Sequence, residues 1–163
     1  MPLFSNREDD PVLAQWERLT LAADAARQAQ QFSKALDLFQ QSLAVIDEVL
    51  LHKQALCAEQ IRCFVLSCQN SAYIAYKLKR LSVCEHFYQL SYQRLEWLLQ
   101  DWPTRRRLGD TLAQELMLAR RQYAEFMLRS RSENVFELSP RIVRSLGKLL
   151  RPQSLLEENS LLR

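Results

Sequence analysis

The chain has 163 residues, a formal net charge of +3 and only 2 glycines, and these figures restrict its fold class. Hydrophobic residues make up 48% and charged residues 25%, which is enough apolar material for one folded core. Tight turns between β-strands often require glycine, so its scarcity argues against a sheet-rich fold. Because the common residues Leu, Ala, Gln, Arg and Glu are good helix formers, the composition predicts an all-α protein.

Two helices are predicted to follow an N-terminal extension of residues 1–10. Asp10 precedes Pro11, a pairing typical of a helix start, and helical spacing continues to about Gln30. Ser33 is the predicted N-cap of a second helix that runs to a break near residues 52–54. The predicted inward residues are Val12, Trp16, Leu19, Ala23 and Ala26 on the first helix and Leu36, Phe39, Leu43, Ile46 and Leu50 on the second.

Three further long segments of helical spacing complete the central part of the chain. The third predicted helix covers about 56–79, and Ser82 with Glu85 reads as a capping box that starts a fourth. Residues 102–104 end the fourth helix and open a fifth, which runs to about Arg129. The core candidates of the third helix are Ile61, Phe64, Val65, Cys68, Ala72 and Ala75.

A short sixth helix is predicted over residues 140–150, after a loop at 130–138. Its apolar face would carry Ile142, Val143, Leu146, Leu149 and Leu150, and its other face Arg141, Arg144, Lys148 and Arg151. Such a basic amphipathic helix can lie on a membrane or dock on a partner, but a lid over the last helix pair is the favoured interpretation. Residues 11–151 therefore form the predicted helical domain, and residues 152–163 a tail.

The chain also repeats itself with a period of 49 residues. Identical residues recur at this spacing, and a repeat of this size in a helical pattern indicates stacked helix pairs. The recurring residues are Ala23, Ala26, Ser33, Gln40, Ser42 and Leu50, matched by Ala72, Ala75, Ser82, Gln89, Ser91 and Leu99.

Within each repeat, the spacing of small and aromatic residues resembles that of tetratricopeptide repeats. A small residue on the first helix is followed by a second small residue 12 positions later, an aromatic four further on and a small residue three after that. The two sets are Ala23, Ala35, Phe39 and Ser42, then Ala72, Cys84, Tyr88 and Ser91. The resemblance covers residues 16–100; the period of 49 differs from the usual one of about 34, and Gln30 and Lys79 replace the glycine that usually follows the first helix.

The resemblance implies a short α-solenoid of antiparallel helix pairs, with five long helices and a short C-terminal capping helix. It further implies a protein–protein interaction module that grips a peptide or protein in a concave groove. The positions carried over from the family are Glu17, Thr20, Asp24 and Arg27 in the first unit and Gln69, Asn70, Tyr73, Tyr76 and Lys77 in the second. Six of them are expected to bind the partner and are called the groove residues: Asp24, Arg27, Asn70, Tyr73, Tyr76 and Lys77. Tyrosines supply contact area and a polar end, and an asparagine can hold a peptide backbone. The alternative is that the tyrosines pack against a neighbouring helix.

Arginines crowd the fifth predicted helix and offer a second candidate surface. Basic surfaces are typical of nucleic-acid binding, yet Asp110, Glu115 and Glu125 interrupt this one and no nucleic-acid motif accompanies it. We therefore expect a solvated face or an acidic protein partner rather than nucleic acid. The arginines concerned are Arg105, Arg106, Arg107, Arg120 and Arg121.

Two other hypotheses remain open at this point. Chaperones of bacterial secretion systems built from three tetratricopeptide repeats are about this size, and match the chain in size and repeat type alone. Self-association into a homodimer is the second, since apolar bulk gathers at the end of the fourth helix. That bulk comprises Trp97, Leu98, Leu99 and Trp102.

No pattern of catalytic or metal-binding residues stands out. Cys57 and Cys68 are about 16 Å apart along a helix, too far to share a metal, and His86 and Cys84 point apart. We therefore expect no enzyme activity, no metal and no cofactor. No apolar run reaches the length of a membrane span and no secretion signal is visible, so we expect a cytoplasmic protein with reduced cysteines.

Overall fold

The computed structural model describes residues 10–131, and in that range the chain forms five helices and no strands. These are α1 (Pro11–Gln28), α2 (Phe32–His52), α3 (Ala58–Lys77), α4 (Leu81–Gln100) and α5 (Trp102–Arg131). The predicted extension at 1–9, the helix at 140–150 and the tail at 152–163 lie outside the described residues. The prediction of an all-α fold with five long helices is confirmed.

Local sequence accounts for how α1 begins. The Asp10 carboxylate accepts hydrogen bonds from the backbone N–H groups of Val12, at 2.9 Å, and Leu13, at 3.3 Å. These amides have no partner within the helix, so the cap stabilises its first turn. Pro11 lacks a backbone N–H, but the first position of a helix does not need one for the helical hydrogen bonds. The predicted start of the first helix is confirmed.

The predicted caps of α2 and α4 are wrong. α2 begins at Phe32 and α4 at Leu81, each one residue before the serine expected to cap it, and neither helix has a side-chain cap. The preceding turn determines both starts. After α1, the Gln31 N–H donates to the Ala26 carbonyl and the Gln30 N–H to that of Arg27, both at 2.9 Å, which is a Schellman motif. Because Gln31 takes part in this turn and is also the N-cap of α2, Ser33 already lies inside the helix.

Neighbouring helices pack against each other, and the contacts between alternate helices define two layers. The Trp16 indole N–H donates to Ser67 Oγ at 2.7 Å and joins α1 to α3. The Gln69 amide donates to Gln122 at 2.7 Å and joins α3 to α5. On the other side, Arg94 on α4 pairs with Asp47 on α2. Helices α1, α3 and α5 therefore lie side by side in one layer, and α2 and α4 in the other.

Helix α3 occupies the centre of this arrangement. It packs on each of the four other helices, and every residue from Cys63 to Ala72 is buried. The six core residues predicted for it are all buried, as are the eight positions of the small–aromatic pattern. Small side chains at these positions let the helices approach closely. The pattern thus identified the packing positions correctly.

Candidate functional site

Three of the predicted groove residues remain accessible on the last turns of α3. Tyr73 and Tyr76 are half-buried and pack partly against the core, while Lys77 is exposed. The Lys77 ammonium lies 5.5 Å from the centroid of the Tyr73 ring, within the range of a cation–π contact. The tyrosines therefore combine both interpretations of the sequence, since each packs against the core and keeps part of its surface in contact with solvent.

Asn70 occupies a different environment from the tyrosines. It is only 4% exposed, and its side-chain nitrogen has no hydrogen-bond partner within the described chain. The neighbouring Gln69 is also 4% exposed and is bound to α5 through Gln122. The middle of α3 is thus covered by its neighbours, and Asn70 does not line an open surface there. Only the C-terminal third of α3 leaves predicted groove residues in contact with solvent.

Asp24 and Arg27 form an ion pair one turn apart on α1. The two side chains approach to 2.7 Å, and each is about one-fifth exposed. Gln28 also donates to the Asp24 carboxylate, at 2.8 Å. Because this pair lies at the surface, its contribution to stability is small, about 0.3–0.5 kcal/mol. The ion pair does, however, fix the positions of two opposite charges on α1.

The register between α1 and α3 places this ion pair at the same level along the helix axes as the tyrosines. Gln60 donates to Asp10 at 3.2 Å, and Trp16 donates to Ser67, so the two helices run parallel with an offset of about 50 residues. Extending that register by two turns puts Asp24 and Arg27 level with the stretch 73–77. Five of the six predicted residues therefore lie at one level of the fold, near the C-terminal ends of α1 and α3. We call this set the α1–α3 end surface: Asp24, Arg27, Tyr73, Tyr76 and Lys77.

The arginines of α5 do not form one basic patch. Arg105, Arg106 and Arg107 are exposed near its start, and the Arg106 guanidinium stacks 5.3 Å from the Trp102 ring. Arg120 and Arg121 follow about 20 Å further along the helix. Carboxylates accompany these two: Arg120 pairs with Glu96, and Arg121 lies 4.0 Å from Glu125. Among the described residues, the arginines of the predicted basic surface that form no ion pair with a carboxylate are therefore Arg105, Arg106 and Arg107.

The apolar residues considered for self-association are largely covered. Leu98 is fully buried, and the Trp97 ring is half-buried beneath the Lys53 ammonium, 3.7 Å from its centroid. Leu99 is half-buried, and Trp102 remains 58% exposed. The two tryptophans thus differ: Trp97 packs against the core beneath Lys53, and Trp102 is exposed beside Arg106.

Buried thiols in this chain are poor nucleophiles. Burial, together with the smaller effect of the Glu85 carboxylate, raises the pKa of Cys84 to about 12. Burial also raises the pKa of Cys68; the Asp47 carboxylate adds to this rise and the Arg94 guanidinium opposes it. Thiolates are the reactive form, so these two cysteines are inert at neutral pH. Cys57, Cys63, Cys68 and Cys84 are all free of disulfides.

Residues 10–131 contain neither a metal-binding cluster nor a membrane-spanning helix. No cluster of three or more His, Cys, Asp or Glu side chains in that range is arranged to hold a metal ion. None of the five helices is both long and apolar enough to cross a membrane.

Sequence reasoning missed Glu115 as a half-buried acid between α3 and α5. Burial raises the pKa of its carboxyl group, and the Arg62 guanidinium, 3.8 Å away, partly offsets this rise. In the sequence, Glu115 stands out only as an interruption of the arginine run. Its spacing carried the missed signal, since it lies three residues after Leu112 and four before Ala119, both buried on the inward stripe of α5.

Comparison with known proteins places the chain in a family. A family model described as a protein of unknown function, DUF2753, matches residues 14–148. Neither the curated proteins nor the solved structures contain a match to this chain. Since the family match spans all five helices except the first three residues of α1, and more than half of the sequence, the chain belongs to the DUF2753 family.

Proposed function

We propose that this chain is a non-catalytic interaction module that binds a peptide or protein partner on the α1–α3 end surface. The observation that carries the proposal is the register between α1 and α3, which brings five of the six groove residues to one level of the fold. The surface offers two half-exposed tyrosine rings, one exposed ammonium group and one ion pair. Aromatic side chains with a polar end and a cation beside them are typical of interface centres.

The helix packing also supports a binding role of this kind. The chain is an arrangement of antiparallel neighbouring helices whose small–aromatic packing positions resemble tetratricopeptide repeats. Stacks of such pairs usually bind other chains along an extended surface. In our proposal the tetratricopeptide-like groove is restricted to its end, because the buried Leu66, Gln69 and Asn70 fill its middle.

The experiment is affinity capture of the full chain from its native lysate, compared between two charge reversals. Lys77→Glu reverses the exposed charge of the proposed surface, and Lys34→Glu is the matched control on an exposed lysine of α2. We expect the partner to be lost from the Lys77 variant and kept by the control. Neither lysine is part of the core, so circular dichroism of both variants should match the wild type.

A second arm separates this proposal from the nucleic-acid alternative. The capture is repeated after nuclease treatment, and with Arg105, Arg106 and Arg107 changed to glutamine. A partner that survives nuclease and the arginine changes supports the end surface. Binding that disappears under both treatments, while Lys77→Glu retains it, would assign the working surface to the start of α5 and refute the proposal.

A further inference from the structure

A cleft between the start of α1 and the end of α2, which we call the valine cleft, is open to solvent. Its volume is about 440 Å³, within the range of ligand-binding clefts. Half-buried valines form its floor, and exposed polar side chains form its rim. The floor consists of Val12, Val45 and Val49, and the rim includes Gln15, Glu48 and His52. The valine cleft lies at the opposite end of α1 from the α1–α3 end surface.

The 49-residue repeat gives each of these six residues a counterpart in the second helix pair, α3 with α4. Three of the counterparts are apolar and completely buried, although the cleft residues that they match are half-buried or exposed. They are Ile61, Phe64 and Leu98, which correspond to Val12, Gln15 and Val49. The same position is therefore covered on the second pair and open on the first.

Helix α2 lies against that position on the second pair. The other three counterparts, Arg94, Trp97 and Asp101, all contact α2 or its C-cap residue. Asp47 pairs with Arg94 at 2.7 Å. The Lys53 ammonium lies 3.7 Å from the centroid of the Trp97 ring and 3.4 Å from the Asp101 carboxylate. These three counterparts correspond to Val45, Glu48 and His52 of the valine cleft.

We propose that the valine cleft binds an amphipathic helix of a partner protein, which takes on α1 and α2 the place that α2 takes on α3 and α4. In a stack of helix pairs, each pair buries its apolar face against the next, and a terminal unit has a polar outer face. The first pair differs from this rule, because its outer face keeps a floor of three valines. No described helix other than α1 and α2 contributes a residue to the cleft.

The charge at the cleft defines the chemistry of the partner helix. Glu48 forms no ion pair within residues 10–131, and it stands where the second pair has the ring beneath Lys53. A lysine or arginine at the C-terminal end of the partner helix, where helices favour cations, would therefore meet the Glu48 carboxylate. Val45 stands where the second pair has Arg94, so the partner needs an apolar residue where α2 has Asp47. The matching helix thus carries an apolar residue six positions before its C-terminal cation.

The test uses a labelled peptide of α2 itself, since α2 fills the equivalent position on the second pair. The probe has the sequence of residues 32–53 with Asp47→Leu, and its binding to the full chain is followed by fluorescence anisotropy. We expect saturable binding, and binding at least about tenfold weaker to the chain that carries Glu48→Lys. The same peptide without Asp47→Leu should bind more weakly than the probe, because it places a carboxylate against Val45.

Two comparisons isolate the charge contact. Asp37→Lys in the chain makes the same reversal on an exposed residue about 16 Å from Glu48 along α2, and should leave the affinity unchanged. A probe that also carries Lys53→Glu should lose affinity for the wild-type chain and regain it for the chain with Glu48→Lys. Both changed side chains of the protein are exposed, so circular dichroism of the two variants should match the wild type.

Four outcomes would overturn the proposal. A probe that does not saturate at about 1 mM would show that the cleft does not accept a helix of this kind. Equal affinities for the wild type and Glu48→Lys would place the peptide elsewhere on the chain. A dimer in sedimentation that dissociates on Glu48→Lys would assign the cleft to a second copy. A probe affinity that rises more than about tenfold in Phe4→Ser would show that residues 1–9 of the same chain occupy the cleft.

Discussion

Gln30 and Lys79, which are 49 residues apart, both adopt a left-handed backbone with φ of 58°. Each follows the C-cap of its helix, and the hydrogen bonds around it are the same: Gln31 to Ala26 at 2.9 Å in one turn, Arg80 to Ala75 at 2.9 Å in the other. The sequence repeat is therefore also a repeat of turn geometry. Neither residue is glycine, although glycine adopts this conformation at the least cost.

Replacing either residue by glycine should stabilise the protein. A non-glycine residue in the left-handed region costs about 1 kcal/mol, which exceeds the entropy that glycine loses in this turn. We expect Gln30→Gly and Lys79→Gly each to raise the free energy of unfolding by up to ~1 kcal/mol, and to add when combined. Thermal unfolding followed by circular dichroism measures both. The control is Gln41→Gly on the exposed side of α2, which should destabilise by about 1 kcal/mol.

The hydrogen bond between Trp16 and Ser67 should be needed for the packing of α1 on α3. Both side chains are buried, and Ser67→Ala leaves the indole N–H without an acceptor. We expect a loss of about 1–3 kcal/mol in the free energy of unfolding. In the background of Trp16→Phe, which removes the donor, the same serine change should cost less than half as much. Equal costs in the two backgrounds would show that the bond contributes nothing.

The ion pair between Asp47 and Arg94 should couple α2 to α4, the two helices of the second layer. The guanidinium donates twice to the carboxylate, at 2.7 and 3.0 Å, and both side chains are about one-fifth exposed. A double-mutant cycle with Asp47→Ala and Arg94→Ala should give a coupling energy of about 1 kcal/mol. The surface pair of Arg121 and Glu125, at 4.0 Å, serves as the comparison and should give nearly zero.

Glu115 should make the protein less stable as it ionises. Burial raises the pKa of this carboxyl group in the folded state above its unfolded value near 4.5, so folding favours the protonated form. The resulting penalty is fully present above the folded-state pKa and disappears as the pH falls below the unfolded value. We expect Glu115→Gln to raise the melting temperature at pH 7. The gain should vanish near pH 4, and a gain that is independent of pH would contradict this cause.

The helices were predictable because their signals are local. Asp10 with Pro11 fixes where α1 starts, and the spacing of Leu36, Phe39, Leu43 and Ile46 identifies the inward face of α2. The starts of α2 and α4 were not predictable in the same way. Ser33 and Ser82 are good capping residues, but the left-handed turn before them already determines where each helix begins.

The candidate site was predictable only in part, for a related reason. A helical spacing tells which residues share a face, but it does not tell how many neighbours cover that face. Asn70 and Tyr73 lie on adjacent turns, yet Asn70 is buried and Tyr73 reaches solvent. The difference arises from the register of α1 and α5 against α3, which depends on side-chain contacts such as Gln69 with Gln122.

Because the four other helices all pack on α3, its burial affects how the protein unfolds. In an extended stack of helix pairs, each pair contacts only its neighbours, and the array can lose pairs one at a time. Here the stretch Cys63–Ala72 depends on all four other helices at once. Removing α1 or α5 exposes part of the same ten residues, so loss of either helix weakens the packing of the other. The molecule should therefore melt in a single step, with its slowest-exchanging amides in α3.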